Sequence, residues 1–115
     1  MHNSPEEFPL EVDVQTVKAM LDSDEPFLLL DCREPSECAL VKIENSTHIP
    51  MNQTPERVGE LKSHQQGRVV VYCHHGSRSL QVTQWLREQG FDKAQSMAGG
   101  IDQWSITIDP SKPRY

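Results

Sequence analysis

The chain has 115 residues, a formal net charge of −6 at pH 7, 36% apolar residues and three cysteines; this is enough for one domain with a real core, and no apolar run nears the ~20 residues of a membrane-crossing helix. The negative balance argues against nucleic acid and anionic membrane surfaces as partners, while a local cluster of amides and cations can still hold a small anion. An odd cysteine count makes no disulfide framework, and the start of the chain lacks the basic and apolar stretches of a secretory signal, so reduced thiols and a cytoplasmic location are expected.

Residues 1–9 read as a flexible lead-in, 10–108 as the folded domain and 109–115 as an irregular C-terminal tail that can lie along the body. Leu10 to Asp13 is a short strand, with Asp13 as N-cap of a helix carrying Val14, Val17 and Leu21 on one face. Phe27 to Leu30 is a continuous apolar run, as in a strand buried on both faces. Pro35 opens a helical turn. Thr47 to Ile49 is a short strand halted by Pro50, and Pro55 opens a helix through about Leu61. Val69 to Tyr72 is the clearest strand, followed by a helix from Ser77 to about Gln89 with Ser79, Val82, Thr83 and Leu86 on one face. Gly90 supplies a left-handed cap onto which Phe91 folds back. Ala94 to Met97 is a fifth strand, Gly99-Gly100 a tight turn, and Ile101 to Ser105 a last helical segment. This alternation predicts an α/β fold: a mostly parallel sheet of about five short strands with helices on both faces. Ligands of such open sheets sit at the carboxyl ends of the strands, where Asp31-Cys32-Arg33, Cys73 to Arg78 and Gly99-Gly100 converge.

The informative stretch is Cys73-His74-His75-Gly76-Ser77-Arg78-Ser79, directly after the best strand and at the head of the best helix. The first N–H groups of a helix have no intrahelical acceptor, and with the positive end of the dipole they favour an anion. That anion can be the Cys73 thiolate. A free cysteine has a pKa of about 8.5, and a helix N-terminus with neighbouring cations can bring it to about 7 or below. Each unit needs ~1.4 kcal/mol of preferential stabilisation, within reach of a few amides and Arg78. Gly76 lets the backbone curl, Ser77 or Ser79 can offer a hydroxyl, and His74 and His75 can draw in an anionic donor.

Four pieces in order carry a family likeness: Leu29-Leu30-Asp31-Cys32-Arg33-Glu34-Pro35, His48-Ile49-Pro50, the Cys73 to Ser79 loop, and Gly99-Gly100-Ile101-Asp102-Gln103-Trp104. The chain resembles a single-domain rhodanese-like sulfurtransferase along nearly its whole length. Only Val41 to Ser46, which has a lysine and no glycine, departs from the family's pattern. The resemblance implies that Cys73 is catalytic: it takes sulfane sulfur from a small anionic donor such as thiosulfate, holds it as a persulfide and passes it to a thiophilic acceptor, cyanide or a thiol, in a two-step scheme. The loop from His74 through His75, Gly76, Ser77, Arg78 and Ser79 would cradle the persulfide. No metal or organic cofactor is implied, and a protein acceptor remains open.

Two other readings stand beside this one. The domain can be a non-enzymatic sulfur carrier or protein-binding module, or a cysteine phosphatase or arsenate reductase. Four residues separate Cys73 from Arg78; phosphatases of similar architecture enclose one more, giving a wider ring for a tetrahedral oxyanion, so loop length favours sulfur transfer. Asp31 and Arg33 read as supporting residues: Asp31 anchoring the loop or Arg78, Arg33 pairing with Glu34 or Glu37. Cys32 and Cys38 read as structural, with a resolving role of Cys32 toward an oxidised Cys73 as the minor alternative. Cys73-His74-His75 is a poor metal site, because adjacent residues rarely point at one ion. Trp85 and Trp104 are core candidates.

Overall fold

The computed structural model describes residues 8–115. Five strands, β1 (Glu11–Val12), β2 (Leu28–Asp31), β3 (Thr47–His48), β4 (Val69–Tyr72) and β5 (Ala94–Met97), form one sheet in the order β1-β5-β4-β2-β3. Every neighbouring pair is parallel. The helices are α1 (Val14–Asp22), α2 (Pro35–Leu40), α3 (Thr54–Arg57), α4 (Ser77–Glu88) and α5 (Gly100–Thr107). The expected α/β architecture is therefore the observed one, and all strands run the same way.

The uninterrupted apolar strands explain the two-layer core. Alternate residues of a strand face opposite sides, so Leu29, Val70, Tyr72 and Met97 pack with Val14, Val17, Ile101 and Trp104 of α1 and α5. Leu28, Leu30, Val69 and Val71 pack on the other face with Leu61, and with Val82 and Leu86 of α4. The four residues of β4 are all buried. Each thus contributes to one layer or the other, which a half-exposed strand could not do.

Several boundaries differ from expectation. β2 begins at Leu28, not Phe27, because its ladder starts where the Leu28 amide donates to the Arg68 carbonyl at 3.0 Å; Phe27 is left partly buried. The helix expected from Pro55 to Leu61 is α-helical only over Thr54–Arg57, between 3-10 segments at Met51–Gln53 and Val58–His64. Leu61 is the one buried residue of the latter, so no apolar stripe holds it in α-helical phase. The last helix starts at Gly100 and runs to Thr107, longer than expected at both ends. Trp104 is in the core, whereas Trp85 is only partly buried.

Turn chemistry follows the residues. The Asp13 carboxylate accepts from the Thr16 amide at 2.8 Å as the N-cap of α1. Gly90, at φ 96°, ends α4 and brings the Phe91 amide to the Leu86 carbonyl at 3.0 Å. In the stretch without glycine, Asn45 takes φ 67°, a left-handed position that asparagine tolerates better than most residues. Of the residues read as a lead-in, 1–7 lie outside the described ones; Phe8 and Pro9 are tied to the body through carbonyls that accept from Arg87 and Gln95. The tail from Asp109 lies against the domain, with Lys112 on Glu44 at 2.9 Å and Arg114 on Asp102 at 2.8 Å.

Candidate active site

The carboxyl ends of β2, β4 and β5 meet at one edge of the sheet. After β4 the chain turns through Cys73 to Gly76 and enters α4, with Gly76 at φ 111° as the cap residue. The loop is fixed by α5. The Ile101 amide donates to the Cys73 carbonyl at 2.9 Å, and the Asp102 amide to the His74 carbonyl at 3.1 Å. These are first-turn amides of α5 with no acceptor in their own helix. With the loop carbonyls turned toward α5, loop and helix amides are left to face the sulfur. Gly100 makes the approach possible: a Cβ there would lie 2.3 Å from the His74 oxygen and 2.5 Å from the Cys73 oxygen.

The Cys73 Sγ accepts from the Gly76 amide at 3.1 Å and the Ser79 amide at 3.3 Å. As a thiol it donates to the Ser79 hydroxyl at 3.4 Å. As a thiolate it would receive that hydroxyl's proton in a hydrogen bond, with Ser96, 2.7 Å from Ser79, donating in turn. The Cys32 thiol, then the Ser79 hydroxyl and the Ser79 and Gly76 amides, hold the Cys73 thiol far down, to about 4, against burial, which acts to raise it. Cys73 is fully buried, yet its sulfur lies against these donors and not against hydrocarbon alone. Of the two serines considered as hydroxyl donors, Ser79 is buried beside the sulfur and Ser77 is exposed.

Arg78 does not leave its charge free. Its guanidinium grips the Glu37 carboxylate with two bonds, at 2.7 and 2.9 Å. Glu37 also accepts from the Glu34 amide and the Tyr115 hydroxyl. Arg78 first, and then these donors, hold its carboxyl down to about 2 although burial opposes them. The expectation for Asp31 is corrected: it anchors neither the loop nor Arg78, but its own neighbour but one, Arg33. Oδ1 accepts from Arg33 Nε at 3.0 Å and Oδ2 from a terminal guanidinium nitrogen at 2.7 Å. Arg33 therefore does not pair with the carboxylate of Glu34 or Glu37. It reaches the backbone carbonyls of Val41 and Glu37 and the Tyr115 hydroxyl. The reason is burial: both side chains are almost completely covered, and a buried guanidinium needs an acceptor for each of its donors. Burial acts to raise the Asp31 carboxyl, but Arg33 prevails and holds it below the usual range.

His74 and His75 sit above the loop. Their rings stack at 3.7 Å, and the other face of His74 stacks on Tyr115 at 3.8 Å. His75 is exposed and lies 3.8 Å from Asp102. Ligand atoms of His74, His75 and Asp102 come within 4.8 Å of one another. Imidazole lone pairs lie in the ring plane, so stacked rings do not converge on one ion, and Asp102 already holds Arg114 at 2.8 and 3.2 Å.

Three residues of this site escaped the sequence reading. Ser96 is an ordinary serine on a strand. Glu37 was considered only as a partner of Arg33. Tyr115 bridges Arg33 and Glu37 from 82 and 78 residues away, and nothing local to it signals this. Cys38 donates to Asp31 at 3.3 Å, and burial, helped by Asp31, pushes its thiol up to about 11. It belongs to the Asp31 network and not to the loop.

Residues 13–107 match the family described as the rhodanese-like domain. Among relatives, a sulfurtransferase of Allochromatium vinosum is 34% identical over 95 residues, covering 83% of this chain and 87% of that one. Adenylyltransferase and sulfurtransferase MOCS3-1 of Zea mays is 35% identical over 103 residues, covering 85% of this chain; the match spans only 22% of that longer protein. The human single-domain sulfurtransferase TSTD1 superposes with a TM-score of 0.75 at 23% identity, covering 85% of this chain and 96% of that one, a likeness of fold. No helix among the described residues is long and apolar enough to cross a membrane. With the profile match over most of its length and a relative matched nearly end to end, the chain belongs to the rhodanese-like domain family.

Proposed function

We propose that the protein is a sulfurtransferase of the thiosulfate type that works through a persulfide on Cys73. The observation that carries this reading is the set of polar groups gathered on one sulfur: the Gly76 and Ser79 amides donate to Sγ at 3.1 and 3.3 Å, and the Ser79 hydroxyl lies 3.4 Å from it. Such preorganised donors favour a resting thiolate, the form that acts as nucleophile. The thiolate attacks the outer sulfur of thiosulfate; a Cys73 S–S bond forms, and sulfite leaves with the electron pair of the bond that breaks. Cyanide or a thiolate then attacks the outer sulfur, and the Cys73 thiolate is the leaving group. Both leaving groups are anions, and the amides of the loop His74 to Ser79 stand ready to receive negative charge on either sulfur.

Recruitment of the donor falls to those amides and to His74 and His75, since Arg78 is offset by Glu37, Arg33 by Asp31 and Arg114 by Asp102. The same pairing argues against phosphatase chemistry. A phosphoryl group would need the free fork of Arg78, and both terminal nitrogens already hold Glu37. A carrier that yields its sulfur to a protein partner is the second reading, favoured by the complete burial of Cys73 under a loop that Tyr115 overlies. The proposed setting is a reducing one such as the cytoplasm, in which Cys32, Cys38 and Cys73 remain free thiols.

Incubation with thiosulfate should add the mass of one sulfur atom to the protein. Cyanide should remove it with release of thiocyanate, and Cys73→Ser should never gain it. Loading with no turnover by cyanide would replace the enzyme reading with the carrier reading. Failure to load would end both.

A further inference from the structure

Beside the sulfur that the loop addresses lies a second one that the transfer scheme does not use. Parallel pairing of β2 with β4 sets Leu30 opposite Val71 and Asp31 opposite Tyr72. The register continues one step further, since the Cys32 amide donates to the Tyr72 carbonyl at 3.1 Å, so Cys32 stands opposite Cys73. Paired residues of parallel strands point to the same face, and Leu30, Cys32, Val71 and Cys73 all belong to one core layer. Both cysteines are fully buried. Adjacent strands are about 4.8 Å apart, inside the ~4.4–6.8 Å of Cα separation that a disulfide spans. Cys38 is not so placed; its thiol is turned to Asp31.

We propose that Cys32 is a resolving thiol that converts the Cys73 persulfide into an internal disulfide and free hydrosulfide. The proposal rests on the persulfide reading above. Cys32 sulfur attacks Cys73 Sγ, the Cys32–Cys73 bond forms, and the bond from Cys73 to the outer sulfur breaks. The outer sulfur takes the electron pair and the Cys32 proton and leaves as sulfide. The sulfane sulfur is reduced by two electrons and the two cysteines are oxidised by two, so no external oxidant enters. A dithiol reductant returns the pair to the starting state. The order of events is built in. While Cys73 is a thiolate, that sulfur beside it, together with burial, holds the Cys32 thiol well above its usual range and so protonated. Once Cys73 carries sulfur, the negative charge moves to the outer atom and that restraint on Cys32 relaxes.

The test loads the full chain with thiosulfate under anaerobic conditions, removes the excess, and follows intact mass and trapped sulfide with no acceptor present. The expected course is a gain of one sulfur, then decay to a mass two hydrogens below the reduced chain, with one sulfide per chain and a Cys32–Cys73 cross-link in the peptide map. Dithiothreitol should restore the reduced mass. Cys32→Ala and Cys32→Ser should release no sulfide by this route. A wild-type chain that loads and then keeps its added sulfur, with no cross-link, overturns the proposal and leaves the persulfide reading intact. A wild-type chain that never loads overturns both. The cross-link is read on the wild type, so poor folding of either variant does not blunt the result.

Discussion

Two adjacent strand ends, β2 and β4, use arginine in opposite ways. At the end of β2, Arg33 is wholly buried and its donors go to Asp31, to the carbonyls of Val41 and Glu37, and to Tyr115. Beyond β4, in the first turn of α4, Arg78 remains about 30% exposed and, among the described residues, is held by Glu37. The first arginine is a brace. The second pins the start of α4 from outside, leaving the amides beneath it free for Cys73. A site that must hold an anion on backbone dipoles gains from having nearby cations already paired, because the donors and not a mobile side chain then define the geometry.

The comparison breaks most sharply at Arg33. Arg33→Met should cost about 3–5 kcal/mol in urea unfolding, because Asp31 is left as a buried carboxylate without its partner. Arg33→Lys should recover only part of this, since one ammonium cannot replace a planar fork. If Arg33→Met unfolds like the wild type, the brace is not one. Next comes Gly100→Ala. The added methyl would meet two loop carbonyls at 2.3 and 2.5 Å, so a loss of about 1–3 kcal/mol is expected, together with a raised Cys73 pKa as the loop moves off the sulfur. Unchanged alkylation kinetics in this variant would dissociate the loop from α5.

A third prediction concerns pH. With Cys73 held to about 4, its alkylation rate should already be on a plateau by about pH 6, where a free thiol with a pKa of ~8.5 would still be climbing. The sign for stability follows. A folded-state value below the unfolded one means that unfolding takes up a proton between the two, so the thiolate's contribution is complete above ~8.5 and is lost as pH falls toward 4. Urea midpoints of wild type and Cys73→Ser should therefore converge on acidification; parallel curves would refute the shift. The Glu37–Arg78 pair, with Glu37 down to about 2, should outlast this change. The smallest effect belongs to Tyr115→Phe. It removes one hydroxyl bridge, at a cost of about 0.5–1.5 kcal/mol, and should speed alkylation of Cys73 modestly by loosening the tail. No acceleration would mean that the tail does not limit access.

Much of this contrast is local and was readable in advance. The strand of Val69 to Tyr72, a cysteine after it and Gly76 before Ser77 are consecutive, and chain geometry alone puts a thiol at the head of a helix. Partner choice was less legible. The sequence marks Asp31 and Arg33 as supporting residues but points each to another partner; their bond to each other goes with the burial of both side chains, which no window of sequence records. Glu37 illustrates the same point: as third residue of α2 it caps its own helix, and only the fold brings it to Arg78, 41 residues on.

The sequence by itself determined the parallel α/β sheet, the edge at which the site forms and the loop that carries Cys73, because periodicity, turn residues and helix termini act over a few residues. Tertiary structure alone decided that Cys32 stands in register with Cys73, that Glu37 takes Arg78 and that Tyr115 closes over His74. Strand register and the course of the tail are set by which buried surfaces and donors can be satisfied together, a condition on the whole chain and not on any one segment.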